Sequence, residues 1–209
     1  MRTITKGPEP ASLTQHRQTP HCDYDNYVEK ADLRQALVTE QRELCCYCMG
    51  RIQDAPTKMR IEHWQAQSRF PAMQLDYRNL LGACLGGEGR PSHLQHCDTR
   101  KGDSALQWNP ADPAHHIETR IRYEMDGSIR SNEAVFDDQL NDVLNLNLPV
   151  LRNNRKGVYD ALLEWLRSEK RRNQGPIPRE RIERERARLA AGDLAPYGQV
   201  AVWLLGQRL

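Results

Sequence analysis

Glu62, His63, Asn79 and Asp98 supply a carboxylate, an imidazole, an amide and a second carboxylate within a stretch bracketed by Cys45, Cys48, Cys84 and Cys97. Hydrolysis of a phosphodiester needs a water made nucleophilic near neutral pH, and a cation to take up charge on the phosphate and the leaving oxygen. An imidazole, ordinarily titrating at about pH 6.5, accepts the proton from water. Two carboxylates hold an oxygen-seeking divalent ion. These residue types point to His63 as general base, to Glu62 and Asp98 as ligands of one Mg2+ or Mn2+, and to Asn79 holding the His63 ring in one tautomer through its side-chain carbonyl. Arg100 and Lys101, expected at the start of a helix, are the candidates for gripping phosphate.

The cysteines have a separate chemistry. Cys45 and Cys48 have the Cys-x-x-Cys spacing of a knuckle, in which two thiolates of one tight turn meet a tetrahedral Zn2+. Cys84 and Cys97 are expected to complete a structural zinc site, which would add folding free energy to a chain with only two Phe. Cys46 in place of Cys45, and His93 or His96 in place of a later cysteine, are open alternatives, with Cys46 expected as a small buried side chain. A redox pair would need a thioredoxin-like strand and helix context that the pattern lacks. His21 and Cys22, in the N-terminal arm, are expected to be ordinary structural residues.

Of the 209 residues 38% are hydrophobic and 28% charged, with a formal net charge of +2, so bulk charge argues neither for nor against nucleic acid. No apolar run approaches the roughly 20 residues that cross a bilayer, and the polar N-terminus lacks the hydrophobic stretch of a secretory signal. A cytoplasmic protein with no membrane partner is the expectation. There disulfides are rare, so the six cysteines favour metal binding.

Apolar residues at Val28, Leu33, Leu37, Val38 and Leu44 recur at helical spacing and predict a helix over 27–44 that delivers the chain to Cys45. Residues 58–63 alternate polar and apolar as a strand does, with His63 at its end. Because strand side chains alternate faces, Glu62 and His63 face one cavity only if the strand bends or stops there. Residues 65–78 read as a loop, 80–84 as a short strand or turn, and the glycine-rich 86–92 as a surface insertion without the ending of a P-loop. Beyond Asn109-Pro110 the alternation over 117–123 and the turn at Met125-Asp126-Gly127 predict a small hairpin reaching Ile129. Helices follow over 140–148, from Pro149 past Leu166, over the charged 179–191, which reads as a solvated face with local ion pairs, and over the apolar 197–209.

The set Cys-Cys-Tyr-Cys at 45–48, Ile-Glu-His at 61–63, Tyr-Arg-Asn-Leu-Leu at 77–81 and His-Cys-Asp-Thr-Arg-Lys-Gly-Asp at 96–103 resembles the HNH endonuclease family. That resemblance implies an α+β fold: a ββα-metal core with zinc knuckles over 45–110, an arm and helix over 1–44, and a mainly helical extension over 111–209. It implies a general base at His63, support from Asn79, and a divalent ion at Glu62 and Asp98. Two departures stand out: twelve residues separate Cys84 from Cys97 where the family has a close pair, and Asp98 stands where His or Asn is usual. The wording Leu-Gly-Ala-Cys, Asn109-Pro110 and Leu144-Asn145-Leu146-Asn147 is more narrowly similar to the PtuB type, the nuclease effectors of Septu antiphage systems and of some retrons. This implies a nucleic-acid substrate, a PtuA-type ATPase partner and, in retrons, a reverse transcriptase with its DNA–RNA product. The rival expectation is a non-catalytic, zinc-stabilised adaptor that binds nucleic acid or protein.

Overall fold

The computed structural model describes residues 1–192 and 194–209. Among them the chain is α+β, with two small two-stranded sheets set among short and long helices. After the helix α1 (Ala11–His16), α2 (Lys30–Glu40) buries Leu33, Leu37 and Val38, which the helical period brings to one side. α2 stops short of the expected Leu44 because Arg42 and Glu43 take left-handed φ values of 52° and 58° that turn the chain into the cysteine knuckle.

Strand β1 (Arg60–His63) pairs antiparallel with β2 (Leu80–Ala83), placing Glu62 opposite Leu81 and His63 opposite Leu80. Gln41, just past α2, fastens this hairpin. Its Nε2 donates to the carbonyls of Leu44 (2.8 Å) and Gly82 (2.7 Å), and its Oε1 accepts from Gly82 N–H at 2.6 Å. A side chain at Gly82 would put its Cβ 3.0 Å from Ile52 Cδ1, so the close approach of Gln41 and Ile52 needs glycine there.

The short helix α3 (Cys97–Lys101) follows the glycine-rich loop. Arg100 and Lys101 therefore occupy its last turn, not the first turn expected for them. The predicted hairpin is present only as the short β3 (Arg122–Tyr123) and β4 (Ile129–Arg130); the first part of the expected strand, Ile117–Thr119, is a 3-10 helical turn instead. Where a helix over 140–148 was expected, α4 (Ala134–Asp138) continues into a π-helical turn, Gln139–Val143.

α5 (Pro149–Arg172) begins at a proline, whose missing N–H costs nothing at a helix start, and buries Leu151, Arg155, Tyr159, Leu162 and Leu166 on one stripe. Arg155 is satisfied internally, donating to the carbonyls of Gly127 (2.6 Å) and Leu146 (2.7 Å). The charged segment forms α6 (Arg179–Ala190), an ion-paired face with Arg179 on Glu183 at 2.9 Å and Arg181 on Glu169 at 2.8 Å. The apolar C-terminal helix α7 (Gln199–Gly206) packs inward, with Val200 and Leu205 at 1% and 0% exposure. One buried cluster joins Leu33 and Leu37, Leu80 and Leu81, Ile129, Leu162 and Leu205. Among the described residues no helix is long and apolar enough to cross a membrane.

Candidate functional site

The knuckle forms because Cys45 N–H reaches Gly50 O at 2.8 Å, Met49 N–H returns to Cys45 O at 3.1 Å, and Met49 adopts φ 66°. Gly50 N–H points at Cys48 Sγ, 3.3 Å away. Cys84 arrives at the end of β2 and Cys97 at the start of α3. All four sulfurs lie within 4.8 Å of one another, with Cys45 to Cys97 and Cys48 to Cys84 both at 3.8 Å. A tetrahedral ion with bonds of about 2.3 Å puts its sulfurs about 3.8 Å apart, so the cluster has the size that zinc requires.

Its electrostatics agree. Burial opposes ionisation of Cys45, but the neighbouring sulfurs of Cys46, Cys48, Cys84 and Cys97 push its thiol well below the usual range. Burial and Cys45 push Cys97 well above it. Four facing sulfurs in one buried space ionise together only around a cation. The cluster can therefore hold a metal ion such as Zn2+. Cys46, buried with its N–H on Gly82 O at 3.0 Å, stands outside the four-sulfur group, as does His93. His96 Nδ1 flanks it, 3.2 Å from Cys97 Sγ.

Tyr47, between the knuckle cysteines, is fully buried and donates from its hydroxyl to Glu62 Oε1 at 2.6 Å. Lys101 Nζ lies 2.9 Å from the same oxygen and donates to His63 O at 3.1 Å. Burial, then the adjoining Asp98 carboxylate, drive the Glu62 carboxyl well above the usual carboxylate range, against the pull of Lys101 and Tyr47. Asp98 also faces Arg60 at 3.7 Å. Glu62 and Asp98 are thus neighbours, with Lys101 and Arg60 against them, whereas the four-cysteine group is the only set of three or more metal-type ligands this close among the described residues.

His63 ends β1 on the opposite face from Glu62. Its Nε2 lies 3.0 Å from Gln74 O. A carbonyl only accepts, so Nε2 carries the proton and Nδ1 keeps its lone pair. Burial depresses the imidazole below its ordinary value, the Gln74 carbonyl and Asp98 opposing.

Three expectations are corrected by this geometry. Asn79 does not touch the His63 ring: its Oδ1 accepts from Gln65 N–H at 2.7 Å, and its Nδ2 donates to Gln65 O at 3.0 Å and Met73 O at 3.1 Å. It staples the 65–79 loop that carries Gln74, and so acts on the histidine at one remove. Lys101 is 2% exposed and engaged with Glu62, so it does not face a phosphate in solvent. Arg100 turns the other way, donating to Ser92 O at 3.2 Å and Asp142 O at 3.3 Å. The roles of Tyr47, Gln41 and Gln74 escaped the sequence reading. Tyr47 alone carried a signal, as a large side chain inside a four-residue knuckle.

No protein-family model matches this chain, and no curated protein matches it either.

Proposed function

We propose that the chain is a metal-dependent endonuclease of the HNH type, built on a ββα core in which β1 and β2 supply the hairpin and α3 the helix. The observation that carries this reading is His63 Nε2 held 3.0 Å from Gln74 O, at the end of a strand whose preceding residue, Glu62, adjoins Asp98. His63 Nδ1 accepts the proton of the attacking water, and the Gln74 carbonyl stabilises the ring as charge develops on it. Glu62 and Asp98 would hold a divalent ion such as Mg2+ or Mn2+, which supplies charge stabilisation to the phosphate and leaving oxygen when bound. Lys101 lowers the cost of gathering two carboxylates in a buried pocket. The zinc-type cluster is the scaffold, pinning the start of α3 and the end of β2 to the knuckle that positions Tyr47.

The wider reading is that of a cytoplasmic effector of an antiphage defence system, restrained by a PtuA-type ATPase and, in a retron, by a reverse transcriptase and its DNA–RNA product. The test is cleavage of plasmid DNA and of RNA by the purified chain and by the complex recovered from its native operon, with Mg2+ or Mn2+. His63→Ala should abolish cleavage and leave zinc content and fold intact. Cleavage by that variant at the parental rate would remove the assignment.

One observation favours a second reading, the zinc-stabilised adaptor. Glu62 already has a buried cation in Lys101 and a donor in Tyr47, so its oxygen Oε1 is satisfied by the chain itself. Nucleic-acid or protein binding with no cleavage under any divalent ion would select it.

A further inference from the structure

With Arg100 and Lys101 engaged elsewhere, a phosphate brought to His63 needs another group to meet it, and the N-terminal arm carries one. Tyr24, in the bend between α1 and α2, sets its ring edge-on against the His63 imidazole, with centroids 4.4 Å apart and planes at 89°. The arm is fastened in this position. Tyr24 N–H donates to Gln74 Oε1 at 3.1 Å, so the residue that holds the histidine also holds the tyrosine. Asp23 and Asn26 exchange reciprocal bonds at 3.0 and 2.7 Å around it.

The Tyr24 hydroxyl makes no hydrogen bond among the described residues, although the ring is largely covered. Burial, with Asp98 and Asp25 adding to it and Arg34 opposing, pushes this phenol up to about 12, so it stays protonated and is a donor. Lys30, the first residue of α2, stands over the outer face of the same ring with Nζ 4.5 Å from the centroid. Among the described residues no carboxylate pairs with it, whereas Arg34, one turn along, reaches Asp54 at 3.3 Å. Asp25, on the same arm, accepts from Gln67 Nε2 at 3.4 Å. An ammonium and a phenol, neither with a side-chain partner among the described residues, thus share one wall beside the His63 imidazole.

We propose that Tyr24 and Lys30 form a phosphate-binding wall beside His63, Lys30 pairing with a backbone phosphate of a nucleic acid and Tyr24 donating a hydrogen bond to the phosphodiester presented to the imidazole. The identity of the ligand rests on the hydrolase reading above; the wall itself rests on the arm's geometry. Single phosphate contacts by lysine act through counterion release and leave a mark in the salt dependence of binding. A hydrogen bond aimed at the reacting group leaves its mark in turnover.

The experiment uses the full zinc-loaded chain with Ca2+ in place of Mg2+, a fluorescein-labelled DNA duplex and the matching RNA, read by anisotropy over a range of salt. Lys30→Ala should raise Kd by roughly 3- to 10-fold and reduce the slope of log Kd against log salt by about 1, and Lys30→Arg should restore both. Tyr24→Phe should leave Kd within about twofold of the parent and lower kcat for Mn2+-dependent cleavage by about 10-fold or more. Arg100→Ala should alter neither. A Lys30→Ala chain with parental Kd and slope, a Tyr24→Phe chain with parental kcat, or a parent that binds neither nucleic acid, overturns the wall. If cleavage depends on His63 while Lys30 and Tyr24 are neutral, the wall alone falls. If binding depends on Lys30 and neither parent nor variants cleave, hydrolysis falls and the binding surface stands.

Discussion

Tyr47 and Glu62 are joined by a 2.6 Å hydrogen bond, which ties the cysteine knuckle to the Glu62–Asp98 pair. Tyr47 sits between Cys46 and Cys48, so the turn that gathers two sulfurs also fixes the hydroxyl that orients the carboxylate. A metal ion in the cluster would therefore set the position of Glu62 without touching it.

Tyr47→Phe removes this donor and leaves a buried carboxyl oxygen with Lys101 alone. The expected cost is about 1 to 3 kcal/mol of stability, from the desolvated acceptor. Zinc content should stay at the parental value while cleavage falls. A variant with parental stability and parental turnover would show that the bond does nothing for either.

Cys84→Ser and Cys46→Ser should separate ligand from neighbour. Cys84 belongs to the four-sulfur group and Cys46 does not. The first variant should lose bound zinc, measured by elemental analysis, and unfold at a much lower temperature, because structural zinc binding contributes on the order of 10 kcal/mol to folding. The second should retain its zinc. Equal metal content in the two would mean the ligand set is different.

Asn79→Ala deletes three hydrogen bonds from one side chain to the backbone of the 65–79 loop. Roughly 2 to 4 kcal/mol of destabilisation is expected from the orphaned loop groups, with faster proteolytic nicking between β1 and β2. Cleavage should drop further than stability alone accounts for, since the loop carries Gln74. Unchanged proteolysis with lost activity would instead indicate direct contact with the reacting groups.

His63 gives a pH signature. Its folded pKa is depressed, chiefly by burial. The unfolded chain then binds more protons in the window just below the ordinary value of about 6.5, so the histidine's contribution to stability is complete above that value and is lost as pH falls through the folded pKa. Thermal melts of the metal-free acidic site, zinc retained, should fall more steeply from about pH 8 to about pH 5 for the parent than for His63→Gln. Parallel curves would mean that the ring titrates as it does in the unfolded chain.

Some of this was legible in one dimension. The strand over 60–63 follows from its alternation, the hairpin after Ile117 from its turn residues, and the stripe of α5 from its helical period. Where the reading missed, the chain was answering to contacts from far along the sequence. α2 ends early because Arg42 and Glu43 bend to feed the knuckle. The expected helix over 140–148 is broken near where Leu144 O must accept Cys97 N–H at 2.9 Å.

The sequence by itself determined the chemistry within reach: one cysteine pair at knuckle spacing with two more cysteines downstream, an imidazole, and two acids, whose preferences for metals and protons belong to the side chains wherever they lie. Only the tertiary structure decided their partners. Asn79 was expected to hold the His63 ring, yet it bonds to the loop backbone; Lys101 was expected to grip phosphate, yet it is buried on Glu62; and Tyr24, in an arm with no pattern of its own, lies against His63. The physical reason is that a side chain's donors and acceptors are fixed by its type, while the atoms that satisfy them are set by burial, which compels every enclosed polar group to take whichever partner the packed fold brings closest.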